Sequence, residues 1–535
     1  MNKGKYDINY LWISLVAAVF FLPFLGVVHL FDWDEINFAE SAREMIVSGD
    51  YFSVMINFTP FWEKPPLFFW FQVVCMKIFG INEFAARLPN AIFGIITLNT
   101  LYFLGKKLHN VQFGMIWLLT FGGALLPFFY FKSGIIDPVF NYFIFLSVYF
   151  LYKTVNSTEK KYKYALLGGV FNGLAVLTKG PVGLLLLLLT YIVILALEKF
   201  RKLPQLKEVL LFAGAWVIVT FLWYGFELIQ NGPWFLVEFV KYQIDLFLNP
   251  VAGHQQPIYY HFVVVFIGCF PFSVLALPAF RRNFNGHDDF RKWIKVLFWV
   301  VMILFTIVTT KIVHYSSMAY LPLSYLGASV IYHYAAKGIS PVLRWIFLIM
   351  GLVVALIFTA LPLLLINKDW LISTVKDQFV LDSLQVEVPM GGWEWSLGLV
   401  YLAIVVWTFF SLKKDLIKSI WKISLGTGVF LWFVMVLIVP KVERYSQGPH
   451  IDFLKSLEGK DVYVKNTGFK SYAEYYYFRQ PIYEHRNYDN LEWLLYGEID
   501  KPVYIITKST YTSMDTVQTL ELIEQRGGFR FYKRE

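Results

Sequence analysis

The chain has 535 residues, 57% of them hydrophobic and 19% aromatic, with only 16% charged and a mean hydropathy of +0.54. That balance excludes a soluble globule and reads as a polytopic membrane protein. The net charge of +9 needs no nucleic acid to explain it, because Lys and Arg gather in short loops between apolar runs and there is neither a basic tail nor an RNA-binding motif.

MNKGKYDINY leads into an apolar run to Leu30 that is too long for a signal-peptide core and lacks an A-x-A cleavage site, so it predicts a first membrane span. The stretch FDWDEINFAESAREMIVSGDYFSVMINFTPFWEKPP, residues 31–66, follows. It carries Asp32, Asp34, Glu35, Glu40, Arg43, Glu44, Asp50, Glu63 and Lys64 between two apolar segments, which places it at a membrane surface. Phe38, Ala42 and Met45 recur at helical spacing opposite Glu40, Arg43 and Glu44, and Gly49 supplies a stop; the pattern predicts a short helix lying flat on the bilayer. Asp34 falls at its start, where a carboxylate either caps the helix or serves chemistry. Lys64 precedes Pro65-Pro66, which holds its backbone extended and lets Pro66 open the next helix. Glu63 and Lys64 then stand at a helix mouth, as a snorkelling pair or as part of a site.

Further apolar runs occur near 67–80, 89–105, 111–131, 137–152, 164–178, 181–197, 208–229, 258–280, 294–310, 316–336, 342–366, 394–412 and 420–440. The first of these has only about 14 residues, and as a span it would put Lys106-Lys107 and every later basic loop outside. As a partial helix of the first outer loop it keeps those loops in the cytoplasm with the N-terminus and leaves about 13 spans. Asp34, Lys64, Asp137, Lys179, His254 and Lys311 to Tyr315 then share the outer face. Asp137-Pro138 is a turn, a cap or a site. Lys179, in Thr178-Lys179-Gly180-Pro181, has little water-exposed loop around it and needs a carboxylate or phosphate; Asp34 is the expected partner. His254, among Gly253, Gln255 and Gln256, can bind sugar, or a divalent metal together with Glu63, while an interfacial aromatic belt explains the tyrosines beside it. Lys311, His314 and Tyr315 read as a snorkelling cluster or as substrate contacts. Cys75 and Cys269 lie in apolar runs without metal-ligand spacing. There is no Walker A loop, dinucleotide fingerprint or nucleophile elbow.

Hydrophobicity drops after Pro440. DVYVKNTGF, PIYEH, PVYIITKS and FRFYKRE read as strands, with SYAEYYYF and NLEWLLYG helical between them. Residues 441–535 are therefore expected to form a small α/β domain on the outer face, to which no catalytic residue is assigned, and residues 1–440 an all-α membrane domain with a first outer loop over 31–88.

Asp34-Glu35, Phe38-Ala39-Glu40, Ala42-Arg43-Glu44-Met45, Ser48-Gly49-Asp50 and Glu63-Lys64-Pro65-Pro66 resemble the first periplasmic loop of the bacterial aminoarabinose transferases. Those belong to a wider set that is similar to the protein O-mannosyltransferases, all of the GT-C glycosyltransferase fold. The likeness continues through Asn82-Glu83-Phe84-Ala85-Ala86-Arg87-Leu88-Pro89, Asp137-Pro138, Thr178-Lys179-Gly180 and Lys311 to Pro322, covering most of the first 330 residues. It implies a glycosyltransferase of the bacterial inner membrane, N-terminus cytoplasmic and C-terminal domain periplasmic or extracellular, that takes a sugar from a polyprenyl-phosphate carrier. The acceptor is a lipid, glycan or protein, with lipid A modification one case.

The resemblance implies Asp34 as the central carboxylate, deprotonating an acceptor hydroxyl or orienting Lys179, with Lys64 and Tyr315 near the donor phosphate. Asp137 and Lys179 complete the expected catalytic set, and Glu35, Glu63, His254, Lys311 and His314 join Tyr315 as substrate contacts. No nucleotide or exchangeable cofactor is required; a divalent metal enters only through Glu63 and His254. One position departs from the pattern: Asn37 stands where the aminoarabinose transferases carry an arginine, and a neutral amide cannot form a charged bidentate clamp on phosphate. The competing class, a transporter or flippase of lipid-linked saccharides, predicts polar residues at midplane on broken helices and a repeated half; no repeat is visible.

Overall fold

A computed structural model describes residues 7–61, 63–248, 256–282, 284 and 289–535. Helices dominate its first 440 residues: α1 (Ile8–Phe21), α2 (Asp34–Ser48), α3 (Leu67–Phe79), α4 (Glu83–Leu108), α5 (Val111–Gly122), α6 (Leu125–Tyr130), α7 (Asp137–Asn156), α8 (Lys161–Lys179), α9 (Val182–Leu197), α10 (Leu206–Asn231) and α11 (Trp234–Leu248), followed by others. Among the described residues α4, α10, Pro341–Ile366 and Leu416–Ser446 are long and apolar enough to cross a membrane. Tyr260–Gly268 and Phe272–Phe280 form a pair bent by 106°, and α1, α3, α5, α9 and Ser396–Ser411 are shorter apolar helices. This is a multi-pass membrane protein.

Local chemistry sets the helix ends. Asn82 caps α4 by accepting from the Ala85 amide at 2.9 Å, and Lys106 and Lys107 occupy its last turn, where a cation meets the negative end of the helix dipole. Small residues set how closely the helices approach. A Cβ added at Gly169 of α8 would meet the Phe212 carbonyl oxygen of α10 at 2.2 Å, so the two backbones touch where lipid would otherwise intrude.

α2 forms as its periodicity predicts, and Gly49 ends it with φ 75°, a left-handed conformation that suits glycine. It does not lie on the bilayer. Ile36, Phe38, Ala39 and Ala42 are buried on one side, and Glu40, Arg43 and Glu44 on the other. The cover for the charged side comes from residues 470–488. Arg43 donates twice to Glu40, at 2.7 Å each, and once to the Gln480 carbonyl at 3.0 Å. Gln480 also bonds the Asn57 side chain, and the Leu30 amide donates to the Tyr477 hydroxyl at 2.6 Å. The expectation of an interfacial helix fails because another part of the chain, rather than headgroups, satisfies its charges.

That other part contains a four-stranded sheet built from β3 (Tyr463–Thr467), β4 (Val503–Lys508), β5 (Glu521–Arg526) and β6 (Phe529–Arg534); a two-stranded ribbon, β1 (Met55–Ile56) with β2 (Thr59–Pro60), precedes it in the first loop. The sheet order is β3-β4-β6-β5, with β3 and β4 parallel and the other pairs antiparallel. Its core residues Ile451, Phe453, Ile506 and Phe531 are continuous with those of α2 and α4.

The start of α2 is pinned from inside. Arg87 of α4 donates to both Glu35 carboxylate oxygens, at 2.9 and 2.7 Å, and to the carbonyls of Leu25, Val28 and His29. Glu35 further accepts from the amides of Phe31 and Gly134, at 2.9 and 2.5 Å. Burial raises the affinity of the Glu35 carboxylate for a proton, but the Arg87 charge and hydrogen bonds more than offset it and hold the group below its ordinary pKa.

Removing Arg87 leaves a carboxylate buried without its cation, so Arg87→Met should lower stability by about 3–5 kcal/mol, and adding Glu35→Gln should restore part of that loss; thermal unfolding of the purified variants in detergent checks both. Glu44 generates a pH effect. Burial first, then the neighbouring Glu40, push it up to about 9 from an ordinary 4.5, so the folded chain keeps it protonated at neutral pH. Its contribution is fully present below the unfolded value and is lost as pH rises toward the folded one. Glu44→Gln removes that titration, so its melting temperature should gain on the wild type between about pH 5 and pH 8; a gap that does not change with pH would refute the assignment.

Candidate functional site

A cavity of about 440 Å³ lies where α2, the loop before α3, α7, α8, α9 and the helix Asp289–Ile307 meet the 3₁₀ segment Val313–Ala319. Its polar wall carries Asp34, Glu63, Lys64, Asp137, Lys179 and His314. Val182, Leu185 and Leu186 of α9 face it together with Leu304, Phe305 and Val308. One compartment thus offers both charged groups and hydrocarbon.

The charged groups stand at helix ends. Asp34 is the first residue of α2 and does not cap it; the N-cap is Trp33, with no side-chain cap bond. Its side chain keeps 38% exposure and its Oδ2 lies 3.3 Å from His314 Nε2. Asp137 opens α7 ahead of Pro138, whose fixed φ suits a first turn. Lys179 closes α8, and Gly180, at φ 97°, breaks the helix before Pro181. Lys64 precedes Pro65-Pro66, with Pro66 at the N-cap of α3.

Lys179 Nζ donates to Asp137 Oδ1 at 2.6 Å, which corrects the expected pairing with Asp34. The ammonium also lies 5.3 Å from the Tyr315 ring centroid and 5.7 Å from that of Phe140. Asp137 Oδ2 is buried and has no partner among the described residues. Lys64 Nζ is 4.0 Å from Glu63 and 5.5 Å from the Tyr242 ring. Burial lowers the Lys64 pKa, helped by the Lys179 charge and opposed by Glu63, Asp34 and Asp137. A partly desolvated ammonium of this kind gains from an incoming anion more than a solvated one does.

Two expected substrate contacts are turned elsewhere. Glu35 points away from the cavity into the Arg87 pair, and Lys311 is buried, its ammonium donating at 3.0 Å to the carbonyl of Val308 just beyond the helix Asp289–Ile307. Glu35 is displaced because successive helical residues point in different directions; Lys311 is consumed by unpaired carbonyls at a helix end. His254 lies outside the described residues. Among the described residues no three metal-ligating side chains come together, and Glu63 stands beside Lys64.

The cavity also contains residues the sequence reading did not choose: Trp33, Asn141, Tyr242, Lys470 and Tyr472, with Asn37 present as the departure already noted. Lys470 and Tyr472 come from the region after 440 and carry no motif; the aromatic run SYAEYYYF was the one signal there. Asn37 is buried, one turn after Asp34, and its Oδ1 has no partner among the described residues.

Residues 63–224, which hold Glu63, Lys64, Asp137 and Lys179, match the family described as dolichyl-phosphate-mannose-protein mannosyltransferase. An undecaprenyl phosphate-alpha-4-amino-4-deoxy-L-arabinose arabinosyl transferase of Wigglesworthia glossinidia brevipalpis is 23% identical over 512 residues, covering 92% of this chain and 86% of that protein. An uncharacterized protein of Aquifex aeolicus is 30% identical over 319 residues, 58% of this chain and 70% of its own length. The crystal structure of ArnT from Cupriavidus metallidurans bound to undecaprenyl phosphate superposes with a TM-score of 0.77 at 16% identity, over 99% of this chain and 98% of that one. The chain belongs to the GT-C glycosyltransferases, among the membrane enzymes related to the aminoarabinose transferases and the protein mannosyltransferases.

Proposed function

We propose that this glycosyltransferase takes a sugar from a polyprenyl-phosphate carrier and passes it to a lipid, glycan or protein acceptor at the outer face of a bacterial inner membrane. The observation that carries the reading is that one cavity is lined both by the ionic groups Asp34, Lys64, Asp137 and Lys179 and by the apolar residues of α9 and Leu304 to Val308. An isoprenoid tail fits the second and its phosphate the first. Relatives whose names specify undecaprenyl phosphate support the same donor class. In this topology about 13 spans leave the N-terminus in the cytoplasm, and residues 441–535 form an outer-face α/β unit that closes the cavity.

The chemistry is a displacement at the anomeric carbon. The acceptor oxygen forms the new bond, the bond from that carbon to the phosphate oxygen breaks, and the carrier phosphate leaves with the electron pair. Asp34 receives the acceptor proton. Its exposed position at the start of α2 suits that task, with His314 beside it. Lys64 holds the phosphate and stabilises the charge that grows on it. Lys179, held by Asp137, supplies a second positive charge whose position is fixed in advance.

The direct test is transfer of labelled sugar from a polyprenyl-phosphate donor by the purified chain, repeated in sealed vesicles of known sidedness. Asp34→Asn should abolish transfer and leave folded protein in the membrane, because the amide keeps the shape and loses the proton-accepting charge. Near-normal turnover would remove Asp34 from the chemistry, and transfer confined to the cytoplasmic side would reverse the topology. Lys64→Met keeps an apolar stem and loses a charge-assisted contact worth roughly 1.5–3 kcal/mol, about ten- to over a hundred-fold. Donor affinity should weaken if the contact exists in ground and transition states alike, and turnover at saturating donor should fall if it forms chiefly in the transition state. Unchanged steady-state constants in well-folded protein would leave Lys64 a membrane anchor.

A further inference from the structure

The 3₁₀ segment Val313–Ala319 brings two side chains to the cavity from one short stretch. His314 Nε2 lies 3.3 Å from Asp34 Oδ2, and the Tyr315 ring centroid lies 5.3 Å from Lys179 Nζ. A 3₁₀ turn has poorer hydrogen-bond geometry than an α-helix and little stability of its own, so contacts outside it must hold these side chains in place. The next two residues make such contacts. Ser316 and Ser317 are buried, and each hydroxyl meets a buried polar side chain from a different helix. Asn141 Nδ2 donates to Ser317 Oγ at 2.8 Å, and His261 Nδ1 lies 3.1 Å from Ser316 Oγ.

The two tethers differ in where they lead. Asn141 is one turn after Asp137 on α7 and lines the cavity itself. His261 belongs to the first turn of the helix Tyr260–Gly268, is fully buried and does not reach the cavity wall. Its ring lies 6.4 Å from that of Phe305, which in turn is 5.6 Å from the Tyr315 ring. The contact with Ser316 is the one hydrogen bond of the imidazole among the described residues, for Nε2 has no partner there. Burying a ring nitrogen unsatisfied costs stability relative to an apolar side chain. What His261 contributes is therefore direction: its bond fixes where Ser316 comes to rest, and with it His314 two residues earlier.

We propose that His261 is a positioning residue of the transfer reaction, which through Ser316 sets the register of the 3₁₀ segment and so the meeting of His314 with Asp34. This rests on the reading above, in which Asp34 receives the acceptor proton. Because His261 acts on a catalytic group and not on the carrier, its loss slows turnover and leaves donor binding in place. Asn141 anchors the neighbouring serine independently, so cutting the His261 tether loosens the His314 end without releasing the whole segment.

The test uses the full-length chain in detergent and cuts the tether from either side. His261→Leu replaces the imidazole with an apolar side chain, and Ser316→Ala removes one hydroxyl, which keeps the test open if His261→Leu fails to fold. Each should lower sugar transfer from the polyprenyl-phosphate donor about tenfold or more at saturating donor, with undecaprenyl phosphate affinity within about twofold of wild type. The double variant should be no worse than the single ones, because both remove the same contact. His261→Asn, whose amide reaches the place of Nδ1, should recover most of the turnover, and His261→Gln, whose amide reaches that of Nε2, should not. His314 reports the same tether without any substrate. Its side chain is 15% exposed beside Asp34, and its modification by diethyl pyrocarbonate, read by mass spectrometry, should rise several-fold in both tether variants and stay at the wild-type level in His261→Asn. The proposal is overturned if either tether variant leaves turnover or His314 labelling unchanged, if the two effects add, if His261→Asn fails along with His261→Leu, or if undecaprenyl phosphate affinity falls in place of turnover. Should the purified chain transfer no sugar at all, the donor reading fails and the labelling of His314 alone decides whether His261 positions it.

Discussion

The buried pair between Glu35 and Arg87 fixes the geometry of everything around it. Arg87 uses its planar fork on both carboxylate oxygens and still reaches three carbonyls beyond the end of α1, so one guanidinium joins α4, the loop after α1 and the first turn of α2. An ion pair in such a place is expensive to desolvate, and it holds only because nearly every lone pair and N–H finds a partner. Asp34, one residue earlier, inherits that fixity. A cavity carboxylate whose backbone is anchored next door has little freedom to swing away from its target.

The cavity follows from a second constraint, the electrostatics of helix ends. Asp34 and Asp137 are first residues of α2 and α7, where the helix dipole favours negative charge, and Lys179 is the last residue of α8, where it favours positive charge. Opposite charges are thus placed at helix ends. The saccharide-transporter alternative predicted polar residues in the middle of broken helices; here the ionic groups gather where helices begin and stop.

What the sequence reveals about this site depends on how far the deciding contact lies along the chain. Lys64 before Pro65-Pro66 is legible because prolines constrain their immediate neighbours. Asp34 is legible because a carboxylate between two apolar runs must sit at a surface. Glu35 is misread because only the fold shows that its neighbour faces the cavity and it faces Arg87. The charged face of α2 looks the same in sequence whether lipid headgroups or Gln480 and Tyr477 cover it. Lys179 was expected to pair with Asp34, and its pairing with Asp137 rests on how α7 meets α8. Lys470 carries no local pattern and Tyr472 only that of an aromatic run; their part in the cavity follows from a packing of the region after 440 against α2 that no spacing rule encodes. The helical membrane class and the small sheet after 440 were both readable from hydrophobicity and β-branched alternation, whereas span ends were blurred by short apolar helices such as α3 and α9.

The bond from Arg43 to the Gln480 carbonyl joins residues 437 positions apart, and that from Leu30 to Tyr477 joins residues 447 apart. During synthesis the first loop therefore leaves the ribosome long before its cover exists. At about 5–20 residues per second the interval is on the order of 20–90 seconds. Through that time Glu40, Arg43 and Glu44 must stay hydrated, and the cavity lacks its Lys470 and Tyr472 rim. A nascent chain can thus reach the membrane with every span in place and still be unable to form its site, so assembly is completed at the C-terminus although most of the ionic groups lie near the start.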